Sequence, residues 1–99
     1  MSAKHTPGPW AIDGCVSLGN LDVIYGSGRI TMMDCENDEV DDDALLANAR
    51  LIAAAPEMLV ALDRAEAFIS GFEDDDTQEG VTEMLAAIRV ALAKAKGEA

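Results

Sequence analysis

The chain has 99 residues, which is enough for one domain with one hydrophobic core. Its apolar fraction of 49% indicates a folded chain, and its formal net charge of −12 makes binding to double-stranded DNA or to anionic lipid unfavourable. Only four residues are aromatic, so the core is aliphatic and rich in alanine. Because each buried methyl group contributes little, we expect the chain to complete its burial by forming a homo-oligomer.

The two cysteines and the N-terminal segment indicate a location. Cys15 and Cys35 form no CxxC pair and have no histidine near them in sequence, so they predict no zinc site. The first ten residues lack an apolar secretory segment, which favours a cytosolic, reducing location with two free thiols. No run of transmembrane length is free of charged residues, so we expect no membrane partner.

The pattern along the chain predicts an α+β fold in a single domain, 1–99. Residues 1–9 form an extended arm rich in proline, and residues 10–33 form a small antiparallel β-meander of three or four strands. Residues 34–43 form an acidic loop, and residues 44–97 form a hairpin of two long antiparallel α-helices.

Turn residues divide the β region into short strands. Asp13-Gly14 and Gly19-Asn20 are dipeptides typical of turns, which predicts a separate strand over 15–18 between them. The glycine-rich segment 26–28 predicts a further turn. Such a turn, followed by Arg29, is also able to present backbone N–H groups to a phosphate, but no Lys-Ser or Lys-Thr pair follows, so a plain hairpin turn is favoured.

Seven of the ten residues at 34–43 are acidic. This is typical of a solvated loop that ends in carboxylates at a helix N-terminus. A calcium-binding loop is the alternative, because acidic residues alternate at 34, 36 and 38. Glu39 stands where such a loop needs glycine, and Leu45 stands where it needs glutamate, so we predict no metal site here.

Helical periodicity follows the acidic loop. Pro56 is expected to end or kink the first helix and to begin a second helical segment, which Gly71 ends with Phe72 as an apolar contact. The last helix is expected to be capped by Asp76 or Thr77. The apolar positions of the three segments are Leu45, Leu46, Ala49, Ile52 and Ala53; then Met58, Leu59, Leu62, Ala65, Ala67, Phe68 and Ile69; then Val81, Met84, Leu85, Ile88, Leu92 and Ala95.

Two segments match a known pattern: HTPGPW at 5–10 and NARLIAAAPEML at 48–59. With the C-terminal AIRVALAKAKGE, they resemble a group of small accessory proteins of phage and prophage genomes. In that group an HTPGPW start is followed by a short β region and by NARLIAAAPELL-like helices. The resemblance covers both ends of the chain and not the middle. It implies a phage origin, the cytoplasm of a host cell and an accessory role, but no particular reaction.

Asn48 and Arg50 are polar residues in an almost wholly apolar stretch, 45–62. A structural role is one interpretation, in which Asn48 bonds a loop carbonyl and Arg50 pairs with the preceding acidic loop. A binding role is the other, in which Arg50 holds an anionic group and Asn48 offers its amide to a base or a peptide edge. The small residues Ala47 and Ala54 leave room for the Arg50 guanidinium.

Trp10, Tyr25 and Arg29 complete the candidate ligand-binding set. Trp10 is expected to cover the core between sheet and helices, and the alternative is a platform on which a base stacks. Tyr25 is a second stacking candidate, and Arg29 is a second phosphate ligand. No nucleophile, general base or metal-ligand set has a suitable sequence context, so we predict no enzyme activity, no cofactor and no metal.

Together these features predict a non-enzymatic phage protein that acts against host defence. The first hypothesis is a homo-oligomeric sponge that binds a small cyclic nucleotide signal through Arg50, Asn48, Arg29, Trp10 and Tyr25. The alternative is an acidic inhibitor or nucleic-acid mimic that binds a host nuclease or CRISPR complex. It rests on the charge of −12 and on the two runs of carboxylates.

Overall fold

The computed structural model describes residues 5–36, 39–75 and 79–98. Three β-strands are followed by two α-helices, which confirms the predicted α+β fold. By its internal contacts the chain divides into two compact units, Met1–Glu57 and Met58–Ala99. The elements are β1 (Ala11–Cys15), a 3-10 helix (Val16–Leu18), β2 (Asn20–Tyr25), β3 (Gly28–Met32), α1 (Asp42–Ser70) and α2 (Val81–Ala95).

The sheet has the order β1-β2-β3, and both strand pairs are antiparallel. Leu21 and Val23 alternate with the half-buried Asp22 along β2, and both apolar side chains are completely buried. Because successive side chains of a strand point to opposite faces, the alternation gives the sheet one core face and one outer face. Residues 26–27 join β2 to β3 as the predicted tight turn, with Tyr25 paired to Gly28.

The first turn differs from the predicted one. Asp13 and Gly14 lie within β1 and pair with β2, so they form no turn. The predicted strand over 15–18 is also wrong, because Val16–Leu18 is a 3-10 helix in which the chain reverses, closed by Gly19 at φ 75°. Gly14 has φ 91°, in the region that favours glycine. The sequence therefore does not distinguish a glycine that a strand requires from a glycine that a turn requires.

The acidic loop ends in a capped helix start, as predicted. Asp41 precedes α1, and its carboxylate oxygen accepts a hydrogen bond from the Ala44 N–H at 2.7 Å. Asp42 and Asp43 occupy the first helical turn, where negative charge is favourable beside the positive end of the helix dipole. Residues 37–38 of the predicted loop lie outside the described residues.

The α1 helix runs without interruption through Pro56, so the expected break into two helical segments does not occur. Proline leaves the carbonyl four residues earlier without its helical partner, but the neighbouring residues are mostly alanine and leucine, which favour helix strongly. Pro56 is also buried, and Gly8 of the N-terminal arm lies against it. A Cβ on Gly8 would be 3.0 Å from the Pro56 Cβ. Packing of the ring against the arm offsets the lost hydrogen bond.

The core of the unit Met1–Glu57 lies between the sheet and the first part of α1. Its buried members are Leu21, Val23, Leu45 and Ala49, which confirms the predicted apolar face of this part of the helix. The partly buried residues that pack against them are Trp10, Ile12, Val16, Ile30, Met33, Cys35, Val40, Leu46, Ile52 and Ala53.

In the unit Met58–Ala99, ion pairs join α1 to α2 in antiparallel order. The Asp63 carboxylate lies 3.0 Å from the Lys96 Nζ. Arg89 lies between Glu66, at 2.9 Å, and Glu73, at 3.1 Å. Hydrogen bonds from Arg89 to Glu73 and then to Glu66 raise the pKa of its guanidinium above the ordinary value. Early residues of this part of α1 thus pair with late residues of α2, as a helical hairpin requires.

The apolar faces of the second unit agree only in part with the predicted ones. Leu85 and Leu92 of α2 are buried, as predicted. Five residues assigned to the same apolar faces are instead exposed: Met58, Ala67, Phe68, Met84 and Ala95. Burial in this part of the chain therefore follows a narrower stripe than the apolar residues suggest.

The ends of the two helices carry the expected glycine and one unexpected cap. α1 ends one residue before Gly71, as predicted, and the ring of Phe72 contacts that of Phe68 edge-on with centroids 5.5 Å apart. Gly80, at φ 79°, is the residue at the N-terminal cap of α2, and it provides no side-chain hydrogen bond. Asp76 and Thr77, the predicted caps, lie outside the described residues.

Candidate ligand-binding site

Asn48 and Arg50 lie in the second and third turns of α1, and both are exposed. They are about 200° apart around the helix axis, so they flank a strip of surface that contains Ala47 and Leu51. Within residues 5–36, 39–75 and 79–98, neither side chain has a hydrogen bond or an ion pair. The structural role predicted for this pair, with Arg50 bound to the acidic loop, is therefore not found in the described part of the chain.

Arg29 lies apart from this pair, on the sheet. It is opposite Ile24 in the register, on the face that also carries Asp22, whereas α1 packs on the other face, against Leu21 and Val23. The Arg29 Nε lies 3.5 Å from the Asp22 carboxylate, and the Arg29 side chain is 55% exposed. Its charge is thus partly compensated, and the sheet separates it from the helix that carries Arg50.

The two candidate stacking residues are engaged in contacts of their own. Trp10 packs against the core, and its indole N–H donates to the Thr6 carbonyl at 3.1 Å, which supports the structural interpretation of this residue. Tyr25 is half-buried, and its ring lies over Gly28, where a Cβ would be 2.8 Å from the Tyr25 hydroxyl oxygen. The structure therefore does not gather the five predicted residues into one site, and Asn48 and Arg50 are exposed with no partner in the described part of the chain.

The chemistry open to Asn48 and Arg50 is binding of a small anion that carries a polar edge. A guanidinium has five N–H donors in a fixed fork that matches two phosphate oxygens, and a side-chain amide donates and accepts together. Leu51, which is 60% exposed, gives the strip between them an apolar surface. Within the described ranges no three His, Cys, Asp or Glu side chains come close enough to hold a metal ion.

Cys15 is exposed at the end of β1, and its Sγ lies 3.0 Å from the Ser17 hydroxyl. Hydrogen bonding from Ser17, first from its side chain and then from its backbone, lowers the pKa of the Cys15 thiol below the ordinary value. Cys35 is half-buried against the core of the first unit. Both are free thiols in the structure.

The contact of Gly8 with Pro56 was not predicted from the sequence. It joins HTPGPW to NARLIAAAPEML, the two segments on which the phage resemblance rests. Both glycine and proline were assigned local roles, in an arm and at a helix break, and neither role signals a contact between residues so far apart in sequence. The sequence signal that pointed to this contact was that the two segments occur together in the phage group that the chain resembles.

Comparison with known families gives a match that extends over the whole chain. The family model described as Salmonella phage P22 protein Y8K6 matches residues 1–99. The chain belongs to this Y8K6 family of phage proteins. The phage setting implied by the two segments is thereby confirmed at the level of the family. Neither a curated protein nor a solved structure matches the chain.

In this member of the Y8K6 family, α1 exposes an unusual amount of apolar surface. Among its large apolar residues, Leu51 is 60% exposed, Met58 is 45%, Val60 is 49% and Phe68 is 72%. By length and composition alone α1 is able to span a membrane, since only 17% of its most apolar window is buried within the chain. Contiguous exposed apolar surface is the usual mark of an interaction site.

Proposed function

We propose that this Y8K6-family protein is a non-enzymatic sponge that, as a homo-oligomer in the host cytoplasm, captures a small cyclic nucleotide signal of host defence. The observation that carries the proposal is the exposed guanidinium of Arg50, which has no partner among the described residues of a chain of net charge −12. Such a chain repels long nucleic acids through its overall field, while a local guanidinium still binds one small phosphate group.

The roles within the proposed site follow from the helix geometry. Arg50 binds a phosphate through two parallel N–H donors, and Ala47 and Ala54, one turn away on either side, leave the guanidinium unobstructed. Asn48 reads a base edge through its amide, and the base lies against the apolar strip at Leu51. Arg29, Trp10 and Tyr25 support the fold of the first unit instead of the ligand.

Calorimetric titration with cyclic dinucleotides, cyclic trinucleotides and cyclic isomers of ADP-ribose tests the proposal. At least one member of the panel binds, and Arg50→Gln weakens that binding about tenfold or more, since a hydrogen-bonded charge pair contributes roughly 1.5–3 kcal/mol. Lys94→Gln is the matched control, because it removes one positive charge from an exposed position of α2. No heat with any nucleotide, or equal affinities for both variants, rejects the sponge.

A second candidate is an acidic inhibitor of a host nuclease or CRISPR complex. It is favoured by two exposed carboxylate runs, 41–43 and 73–75, on a chain with 19 acidic and 7 basic residues. Regularly presented carboxylates imitate a phosphate backbone toward a basic protein surface. Affinity capture from host lysate at low and high salt separates the two candidates. A stoichiometric basic protein that is lost at high salt supports the inhibitor, and capture of none supports the sponge.

A further inference from the structure

The α1 helix carries an exposed apolar seam with the spacing of a coiled coil. Six apolar residues recur at alternating intervals of three and four residues, and three of them, Leu51, Met58 and Phe68, are large side chains between 45% and 72% exposed. This interval is the heptad repeat of a helix that packs along its length against another helix. The seam consists of Leu51, Ala54, Met58, Ala61, Ala65 and Phe68.

The seam is not the side of α1 that the chain's own core uses. Ala49 and Pro56 are buried, and both lie about 160° around the helix from the middle of the seam. The interval from Leu51 to Phe68 corresponds to about five helical turns, or roughly 25 Å of continuous surface. A core-facing stripe and a separate apolar seam on one helix indicate two packing partners, and the described chain supplies the first.

Charged residues border the seam in a self-complementary order. Glu57 and Arg64 lie on the same edge, one heptad apart, and in the described part of the chain neither side chain has a hydrogen bond or an ion pair. In an antiparallel pair of identical helices this edge faces itself, so that each Glu57 meets an Arg64. In a parallel pair Glu57 and Arg64 instead face Leu62 and Ile69, which carry no charge. The charge order therefore selects the antiparallel arrangement.

We propose that a second copy of this chain packs its seam antiparallel against the first, with the two-fold axis between Met58 and Ala61. Met58 then lies opposite the partner subunit's Ala61, Ala54 opposite the partner subunit's Ala65, and Leu51 opposite the partner subunit's Phe68. Each Met58 packs on an alanine beside the axis, the Ala54–Ala65 pairs on either side let the helices approach closely, and Leu51 and Phe68 fill the space toward the ends. Glu57 pairs twice with Arg64 across the axis, as a symmetric interface requires.

A second copy fits the seam better than a lipid bilayer does. Insertion of α1 would carry Arg50 and Glu57 into the hydrocarbon, at a cost of several kcal/mol for each charge. The surrounding surface, with a net charge of −12, is also repelled by anionic lipid. In the antiparallel pair Glu57 and Arg64 stay at the solvated rim of the interface, and each faces a residue of the other sign on the partner.

Arg50 takes no part in these charge pairs, because in this register its edge position faces the partner subunit's Gly71. The guanidinium of Arg50 is thus left accessible at each end of the seam, whereas Leu51, against which the proposed base lies, is shared with the rim of the interface. Dimer formation requires no ligand, so the interface is tested apart from the sponge.

Sedimentation equilibrium of the full chain without nucleotide at low salt tests the interface. The wild type is a dimer, and Glu57→Arg and Arg64→Glu each raise the dimer dissociation constant on the order of tenfold, since two attractive pairs become repulsive. The double variant E57R/R64E restores the pairs with reversed sign and returns the constant close to the wild-type value. Circular dichroism confirms that each variant is folded.

Arg50→Glu is the control that fixes the register. It makes the same charge reversal on the same edge of α1, at a position that faces no charge in the proposed dimer, and leaves the dissociation constant within about threefold of the wild type. A monomeric wild type, a double variant no better than the single ones, or Arg50→Glu as harmful as Glu57→Arg overturns the proposal. Flotation of a monomeric wild type with vesicles of phosphatidylcholine and phosphatidylglycerol would assign the seam to a membrane and also overturn it.

Discussion

Replacement of Gly14 by alanine tests the strand pairing that positions α1 and its site. Gly14 has φ 91° within β1, and a Cβ there would overlap the carbonyl oxygen of Asn20 on β2. The unfavourable φ costs an alanine about 1 kcal/mol, and the forced separation of the two strands costs about 1–3 kcal/mol more. We expect Gly14→Ala to lower the free energy of unfolding by about 2–4 kcal/mol, a large share of what a small domain has.

Gly19→Ala is the matched control for this prediction. Gly19 also has a positive φ, of 75°, but nothing lies within 4 Å of the position its Cβ would take. Gly19→Ala should therefore lower the free energy of unfolding only by the cost of the unfavourable φ, about 1 kcal/mol. Urea unfolding followed by Trp10 fluorescence measures both, because Trp10 packs against the core of the same unit. Equal losses for the two variants would show that β1 does not run through Gly14 and would refute the register.

Two further predictions concern the start of α1 and the exposed thiol. Asp41→Ala removes the hydrogen bond from the Ala44 N–H and should lower the free energy of unfolding in urea by about 1 kcal/mol. An unchanged free energy of unfolding would show that water caps the helix equally well. Ser17→Ala removes the main cause of the lowered Cys15 pKa, so the midpoint of the pH profile for Cys15 alkylation should move to higher pH. The measurement is made in the C35A variant, so that Cys15 is the thiol that reacts. An unchanged midpoint would contradict the hydrogen bond from Ser17.

The parts of the fold that the sequence predicts well are those governed by local pattern. The Asp41 cap, the turn at 26–28 and the apolar face of α1 around Ala49 each follow from spacing or from one residue type. Glycine positions predict less, because a positive φ serves a strand at Gly14 and a turn at Gly19 equally well. Pro56 misleads for a related reason: its local cost is offset by packing against Gly8, a contact far away in sequence.

The structure separates the candidate residues of the helix from those of the sheet. Asn48 and Arg50 stand out in an apolar stretch, and the structure leaves them exposed. Arg29 was grouped with them by charge, yet the alternation of β2 and β3 places it on the outer face beside Asp22. Which face of the sheet Arg29 occupies depends on the pairing of β2 with β3, and the residue pattern of strands this short does not fix that pairing.

The exposed apolar residues of α1 have a similar explanation. Met58 and Phe68 were assigned to the core because an apolar residue on a helix is usually buried by its own chain. The helix has more apolar surface than one chain covers, and a seam with heptad spacing is the part left over. Composition indicated a thin core and an oligomer, and the arrangement of the residues indicates where the second copy would pack.

The most direct test of the account is a native mass spectrum of the purified chain after incubation with the nucleotide panel. The account predicts a dimer that carries additional mass corresponding to a cyclic nucleotide, and a dimer of the Arg50→Gln variant without that mass. A folded wild-type chain that binds no nucleotide, as a monomer or as a dimer, would contradict it.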